Sequence, residues 1–401
     1  MKIKKTIYIN KTLLFWLLCF IINGCTEPYI LETNTYEEAL VIEATITNEF
    51  KKQEITITKT SRFEDKEPKI ETGAEVYITD NTGNRYEFEE QSGKYISKSE
   101  FNAIPKREYH LDIITSDGQN YRSATETLSP VTTLEDVKPA VETKDTLKGV
   151  QIYVSSYDPT NKAKFYRYEY EETYKIIAPK WVPQELIVTG PQSIALVDRT
   201  TEARICYNTR KSSEIILSNT NGLTESRVNQ PVRYISNKDY IIANRYSILV
   251  RQYTQNLESY TYHKTLKEMS DASSVLSPKQ PGFIIGNIKC ITNSNKKAIG
   301  FFEVAAVSSK RIFFNFDDTF LGDAYPPYYC RCDRPVPPQD ICDRFCFKGT
   351  KCDGDAIILS LNGHDVVFYD LLYGNCYVLF PRACGDCTAI GSNIKPAFWV
   401  D

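Results

Sequence analysis

Eight cysteines crowd into the stretch from Cys330 to Cys387 of this 401-residue sequence, and thiols are the side chains here best suited to chemistry. The stretch holds Cys330, Cys332, Cys342, Cys346, Cys352, Cys376, Cys384 and Cys387; Cys206 and Cys290 stand alone upstream, and Cys19 and Cys25 lie near the start. Two chemistries suit such a cluster. Thiolate zinc sites commonly use cysteine pairs separated by two residues, which only Cys384-Gly385-Asp386-Cys387 provides. Disulfides need only an oxidising compartment and an even count. Ten cysteines remain once Cys19 and Cys25 are set aside, so disulfide bonding is expected for Cys206, Cys290 and the eight of the cluster, with the connectivity left open. A redox role for Cys384 and Cys387 lacks the βαβ pattern that lowers a thiol pKa at a helix N-terminus.

Other reactive types are sparse. His110 falls in a strand pattern, His263 in a helical one and His364 in a turn, so no Ser-His-Asp or Cys-His arrangement is indicated. Asp317, Asp318, Asp323, Asp353 and Asp355 lack the alternating loop and closing Glu of a calcium site, and surface solvation is their expected role. No glycine-rich phosphate loop occurs, since Gly282 and Gly286 lack the required order. The expectation is a non-enzymatic protein with no cofactor and no bound metal.

The compartment is read from the N-terminal end. Lys2, Lys4, Lys5 and Lys11 precede an unbroken apolar run from Leu13 to Ile22, which closes on Asn23-Gly24-Cys25. That is the charge, apolar core and small-residue junction of a secretory signal. The run is about half the roughly 20 residues of a spanning helix. A Cys directly after the small residue is the pattern of a bacterial lipoprotein, so Cys25 is expected to carry the lipid. The competing reading is an ordinary signal with an incidental Cys. Cleavage there leaves 44 basic against 51 acidic residues, and this mild acidity argues against nucleic-acid binding.

The elements that would position these residues read as mainly β. Residues 1–24 are the signal peptide and 25–37 a tether. Residues 38–130 carry short period-two segments such as Leu40–Thr47 and Val76–Thr79, with turns at Asp80–Asn84 and Ser116–Gly118. They predict a β-sandwich of immunoglobulin or transthyretin type, held by alternating apolar pairs such as Val76/Ile78 and Tyr86/Phe88. Residues 131–147 lack a pattern and follow Pro130, with Pro139 inside, so they read as a linker. Residues 148–401 form a larger β-rich domain containing the Cys-rich region 330–387. One amphipathic helix is predicted from about Leu257 to Met269, N-capped by Asn256, with Leu257, Tyr260, Leu266 and Met269 on its inner face. The 27 Tyr and 19 Phe fit strand packing.

Several stretches in order resemble one family. They are Arg245–Tyr253, Pro281–Ile288, Gly300-Phe301-Phe302, Cys384-Gly385-Asp386-Cys387-Thr388 and Lys395–Trp399, preceded by Leu40–Ala44 and Thr72–Val76. Together they resemble the Bacteroidota lipoproteins called domain of unknown function 4249, over nearly all of the mature chain. Cys330 to Cys352 is denser in cysteine than that family's pattern. The resemblance implies a lipid-anchored outer-membrane protein, in the periplasmic or the surface-exposed leaflet, often encoded beside a TonB-dependent transporter. It implies no catalytic residues. The expected function is an accessory or ligand-capturing partner of such a transporter; the alternative is a structural or adhesion-type envelope protein that binds another protein or a polysaccharide.

Overall fold

The computed structural model describes residues 39–61, 68–191, 193–271, 284, 286–336, 345–346, 355–372 and 376–401. The signal, Cys25 and the tether therefore lie outside the described residues, as do Cys342 and Cys352. The chain is mainly β. The N-terminal region supplies β1 (Leu40–Thr47), β2 (Glu54–Lys59), β3 (Lys69–Ile70), β4 (Glu75–Asp80), β5 (Arg85–Gln91), β6 (Lys94–Ser97), β7 (Glu108–Ile114), β8 (Asn120–Ser123) and β9 (Glu126–Thr127). Then come β10 (Leu134–Lys144), β11 (Leu147–Asp158), β12 (Phe165–Ile177), β13 (Gln184–Gly190), β14 (Ser193–Asp198), β15 (Ile205–Lys211), β16 (Ile216–Asn219) and β17 (Ser226–Ser236). The last third contributes β18 (Tyr246–Gln255), β19 (Ile288–Cys290), β20 (Ala298–Phe314), β21 (Phe345–Cys346), β22 (Val366–Leu372) and β23 (Cys376–Pro381).

Alternation of apolar and polar residues explains the N-terminal strands. In β4, Val76 and Ile78 are buried while Glu75 faces out, and the register sets Val76 opposite Phe88 and Ile78 opposite Tyr86. The β4–β5 turn is held by Asp80, whose carboxylate accepts from the Thr82 and Asn84 amides at 2.9 and 3.0 Å while Gly83 supplies φ +88°. These strands close around one core that includes Ile42, Ile46, Ile55, Tyr109 and Leu111.

That core is not made by the N-terminal region alone. Ile288, Ala298, Phe302 and Val304 complete it, because β20 pairs in parallel with β1 along its whole length, from Leu40↔Ala298 to Thr47↔Ala305. The second half of β20 pairs with β18, from Thr254↔Ala306 to Tyr246↔Phe314. One sheet therefore runs β15-β12-β18-β20-β1-β2-β6-β5-β4-β7-β8-β19 through both halves. Asn287, ahead of β19, bonds both backbone groups of Phe302 and so closes the roll.

Two glycines make this crossing possible. Gly300 sits at φ +153° in β20, where a Cβ would run into the carbonyl of Ile42; Gly286 packs so close that its own Cβ would strike the Gly300 carbonyl.

A second core lies beyond residue 130 and is built largely of tyrosine and aliphatic side chains, among them Tyr166, Tyr168, Tyr174, Tyr246, Ile152 and Val250. The expected linker over 131–147 is corrected here: residues 134–144 are β10, paired with β11 from Leu134 to Lys144. Pro139 hid it. β10 is an edge strand of the β10-β11-β17 sheet, where a missing N–H is tolerated.

The predicted helix is present as α1 (Leu257–Asp271), and Asn256 Oδ1 accepts from the Ser259 amide at 2.8 Å as its cap. Tyr260, Leu266 and Met269 of the expected inner face are half-buried, with Tyr260 against Phe165, and the departure is at Leu257 and Ser259. Ser259 is buried and Tyr262, His263 and Leu266 are half-buried, whereas Leu257 is 60% exposed. Further short helices are α2 (Phe316–Phe320), α3 (Asp355–Asn362) and α4 (Arg382–Gly385), so the expectation of one helix was too few.

Candidate functional site

The polar face of α1 covers a buried network assembled from five elements. Glu303 on β20 is 3% exposed and accepts from Ser259 Oγ at 2.6 Å, Gln255 Nε2 at 2.5 Å, Arg167 Nη2 at 3.1 Å and Thr45 Oγ1 at 3.3 Å. Burial alone would raise its pKa, but the Arg167 charge with His263, Ser259 and Gln255 outweighs that and holds the carboxyl below its ordinary range. Arg167 also pairs with Glu169 and lies 4.3 Å from the Tyr253 ring centroid. Burial lowers the His263 pKa, which favours the neutral imidazole; its Nδ1 lies 3.0 Å from Gln255 Nε2 and 2.9 Å from the Ser259 carbonyl.

Ser259, His263 and Glu303 thus meet, yet the arrangement is not that of a nucleophile. Ser259 is 1% exposed and bonded directly to the carboxylate, and His263 Nδ1 stands 3.5 Å from its Oγ while facing a backbone carbonyl. The network fastens the helix to the sheet. Alongside it, Glu126 on β9 accepts from Asn256 Nδ2 at 2.7 Å and Asn287 Nδ2 at 2.9 Å. Burial pushes this carboxyl up to about 7, against the two amides and with the charges of Glu258 and Glu303. The other histidines lie elsewhere: His110 is on β7 beside Asp112 at 3.3 Å, and His364 occupies a turn at φ +54°.

The cysteines separate into bonded and free. Cys206 on β15 is joined to Cys387, and Cys332 to Cys384. The two cysteines of Cys384-Gly385-Asp386-Cys387 therefore go to different partners. A Cβ on Gly385 would crowd Val367 and the Lys180 carbonyl, and Asp386 caps the next turn by accepting from the Thr388 amide at 2.9 Å, so the motif is a fixed corner. Two expectations are corrected: Cys290 and Cys330 carry free thiols. Cys290 lies opposite Tyr121 at the sheet end, with Thr292 Oγ1 3.4 Å from its sulfur. Cys330 lies 3.3 Å from Cys384 Sγ and 3.7 Å from Cys332 Sγ. These three sulfurs are the described residues' one grouping with metal-ligand proximity, but two of the three are bonded to each other. Cys346 and Cys376 stand opposite each other in the β21–β23 register. Asp317, Asp318 and Asp323 do not converge: Asp317 accepts from Tyr325 OH at 2.6 Å, Asp318 from the Asn315 amide at 2.7 Å, and Asp323 from Lys148 at 2.7 Å, while Asp353 and the Asp355 side chain lie outside the described residues.

An open cleft of about 530 Å³ lies at the far end of β12 and β18, lined by Lys175, Asn244, Arg245, Asn315, Asp317 and Tyr325 among others. Arg245 Nη1 donates to Asn315 Oδ1 at 3.2 Å, Lys175 pairs with Asp401 at 3.2 Å, and the Tyr325 ring stacks on Phe316 at 4.9 Å. The C-terminal stretch forms part of its surroundings. Trp399 is buried edge-on against Tyr207 and Phe313, and Arg311 covers the Phe398 ring at 3.5 Å. Cationic, amide and phenolic groups at one opening can hold a polar ligand by hydrogen bonds and charge. Arg245 opens a stretch singled out in the sequence, but its place in a cleft had no local signal.

No helix among the described residues is long and apolar enough to cross a membrane. No curated protein matches the sequence. A solved structure described as "Biofilm associated protein - BSP domain" aligns at 10% identity and a TM-score of 0.14, over 68% of this chain and 58% of that one, a likeness too slight to carry an argument. The family profile described as "Domain of unknown function (DUF4249)" matches residues 26–311, a range that takes in the first core, most of the second, the α1 network and both crossing glycines and stops short of Phe314, Phe316, Phe320 and the cysteine corner. By that match, the chain belongs to the DUF4249 family.

Proposed function

We propose that this protein is a lipid-anchored outer-membrane protein that captures a ligand for a TonB-dependent transporter. The Gly24-Cys25 junction behind its charged and apolar leader, one residue ahead of the family match, carries the anchoring; the transporter partnership rests on the family resemblance and the capture on the cleft. Cys25 is the lipidated residue, the N-terminal strands hold the anchor side, and the Lys175–Arg245–Tyr325 cleft is the capture surface.

Isolation of the lipidated protein from detergent-solubilised outer membrane tests this. Recovery of a stoichiometric transporter supports it, and Arg245→Ala combined with Tyr325→Ala should weaken ligand retention without loosening the transporter. Recovery of polysaccharide or another envelope protein instead, with no transporter, replaces the reading with an adhesive or structural one.

A further inference from the structure

Cys330 is a thiol held against a disulfide. Its sulfur is 3.3 Å from Cys384 Sγ, and Cys384 is bonded to Cys332, two residues along the same segment. All three pack in a small apolar cluster with Val367, Phe380 and the half-buried Tyr369 and Val378. The cluster keeps the sulfurs together: Tyr328 OH donates to the Ala383 carbonyl at 2.8 Å, and the Lys180 amide donates to the Cys384 carbonyl at 2.8 Å. Cys384 is fully buried on the corner described above, while Cys330 and Cys332 are both half-buried on one strip of chain.

We propose that Cys330, Cys332 and Cys384 form a thiol–disulfide exchange site in which Cys330 and Cys332 compete for Cys384. At rest the sulfur separations set Cys330 side-on to the Cys332–Cys384 bond, so its side chain first turns into line with that bond. The Cys330 thiolate then attacks Cys384 Sγ, the Cys384–Cys332 bond breaks, and a Cys330–Cys384 bond forms as Cys332 leaves as thiolate. The proton lost by Cys330 is matched by the one Cys332 takes up, and no outside oxidant or reductant enters. Burial raises the Cys330 thiol above its ordinary pKa, so the thiol form dominates and exchange runs through a minor thiolate fraction. The swap shifts the tether point by two residues on the segment that leads back through Tyr329 and Tyr328 to Tyr325 in the cleft wall. Tyr329 rests edge-on against Tyr240 at 5.4 Å, so the segment is packed in a definite place that the swap must change.

Arg331 lies between the competing cysteines, so trypsin puts them on different peptides. The full chain is acid-quenched to stop exchange, alkylated, digested and mapped by mass. The expected wild-type result is label shared between Cys330 and Cys332, adding up to one thiol. Folded under the oxidising conditions that form the wild-type Cys332–Cys384 bond, with the same oxidant taking up the two electrons, Cys332→Ser should carry a Cys330–Cys384 bond as its main species. Shared label in the wild type supports the exchange, the variant bond supports the reach of Cys330 to Cys384, and the wild-type map stands even if the variant fails to fold. The proposal is overturned if Cys330 alone is labelled in the wild type, and equally if Cys384 is left as a free thiol in folded Cys332→Ser.

Discussion

Replacing Glu126 with Gln should flatten the pH dependence of stability across the neutral range. In the fold this carboxyl titrates near 7 against an ordinary 4.5. Between those values the folded protein binds more protons than the unfolded chain, so the stability from this group is full below about 4.5 and is lost as pH rises through about 7. The gap between about 7 and 4.5, at about 1.36 kcal/mol for each step in pH, sets a ceiling of about 3 kcal/mol. Solvent at the edge of the site discounts this to about 1–2 kcal/mol. Gln carries a separate, constant cost. Asn256 is fixed by the Ser259 amide and Asn287 by both backbone groups of Phe302, so neither amide can turn to accept from a new N–H. That cost, about 1 kcal/mol, does not vary with pH and leaves the slope clean. Thermal unfolding of both proteins at matched ionic strength from pH 5 to pH 8 is the assay. Glu126→Gln should gain on the wild type by about 3–6 °C over that range, for a cooperative unit of 150–250 residues. Parallel curves would show that Glu126 is ionised throughout and that the argument from burial is wrong.

Other outcomes follow from the same contacts. Cys25→Ala should abolish lipidation, read as release from the membrane fraction and loss of the lipid mass. Glu303→Gln leaves Arg167 buried against a neutral amide and should cost about 3–5 kcal/mol in chemical denaturation, with Glu303→Gln/Arg167→Met losing less than the sum of the single changes. Gly300→Ala should prevent β20 from seating on β1 and give insoluble or protease-sensitive protein, whereas Gly222→Ala, with open space around its Cβ position, should express normally. Cys206→Ser opens a loop whose ends are 181 residues apart, so its removal should lower stability by up to about 5 kcal/mol on a chain-entropy account, measured against wild type without reductant.

Local patterns were legible where a residue's neighbours in sequence are its neighbours in space. Val76/Ile78 against Tyr86/Phe88, the Asp80 turn and the Asn256 cap all belong to that class. The rest depended on distant segments meeting. Ala298–Ala305 completes the N-terminal core only because β20 arrives beside β1, and nothing near Leu40 announces that partner. The inner face of α1 was legible at Tyr260, Leu266 and Met269 but not at Ser259 and His263, which look like surface residues until Glu303 and Arg167 are placed beneath them. Cysteine counting indicated disulfides but not their partners, since Cys206 meets Cys387 across 181 residues and Cys384 bonds Cys332 and not its neighbour Cys330. Pro139 suggested a linker and instead marks an edge. The cleft joins residues 175, 245, 317 and 325, which no window of sequence contains.

The placement of β1 also determines how the protein would bear load. A pull along the chain from the side of residue 39 acts on a strand hydrogen-bonded on both flanks, to β2 antiparallel and to β20 in parallel. Force along the strand axis strains both ladders in shear, so many bonds must yield almost together instead of opening singly from one end. The parallel partner continues into the β18 ladder, so the strain passes directly into the second core. A chain held from its N-terminal side is therefore gripped at the middle of its largest sheet, where resistance to extraction is shared across both halves of the fold.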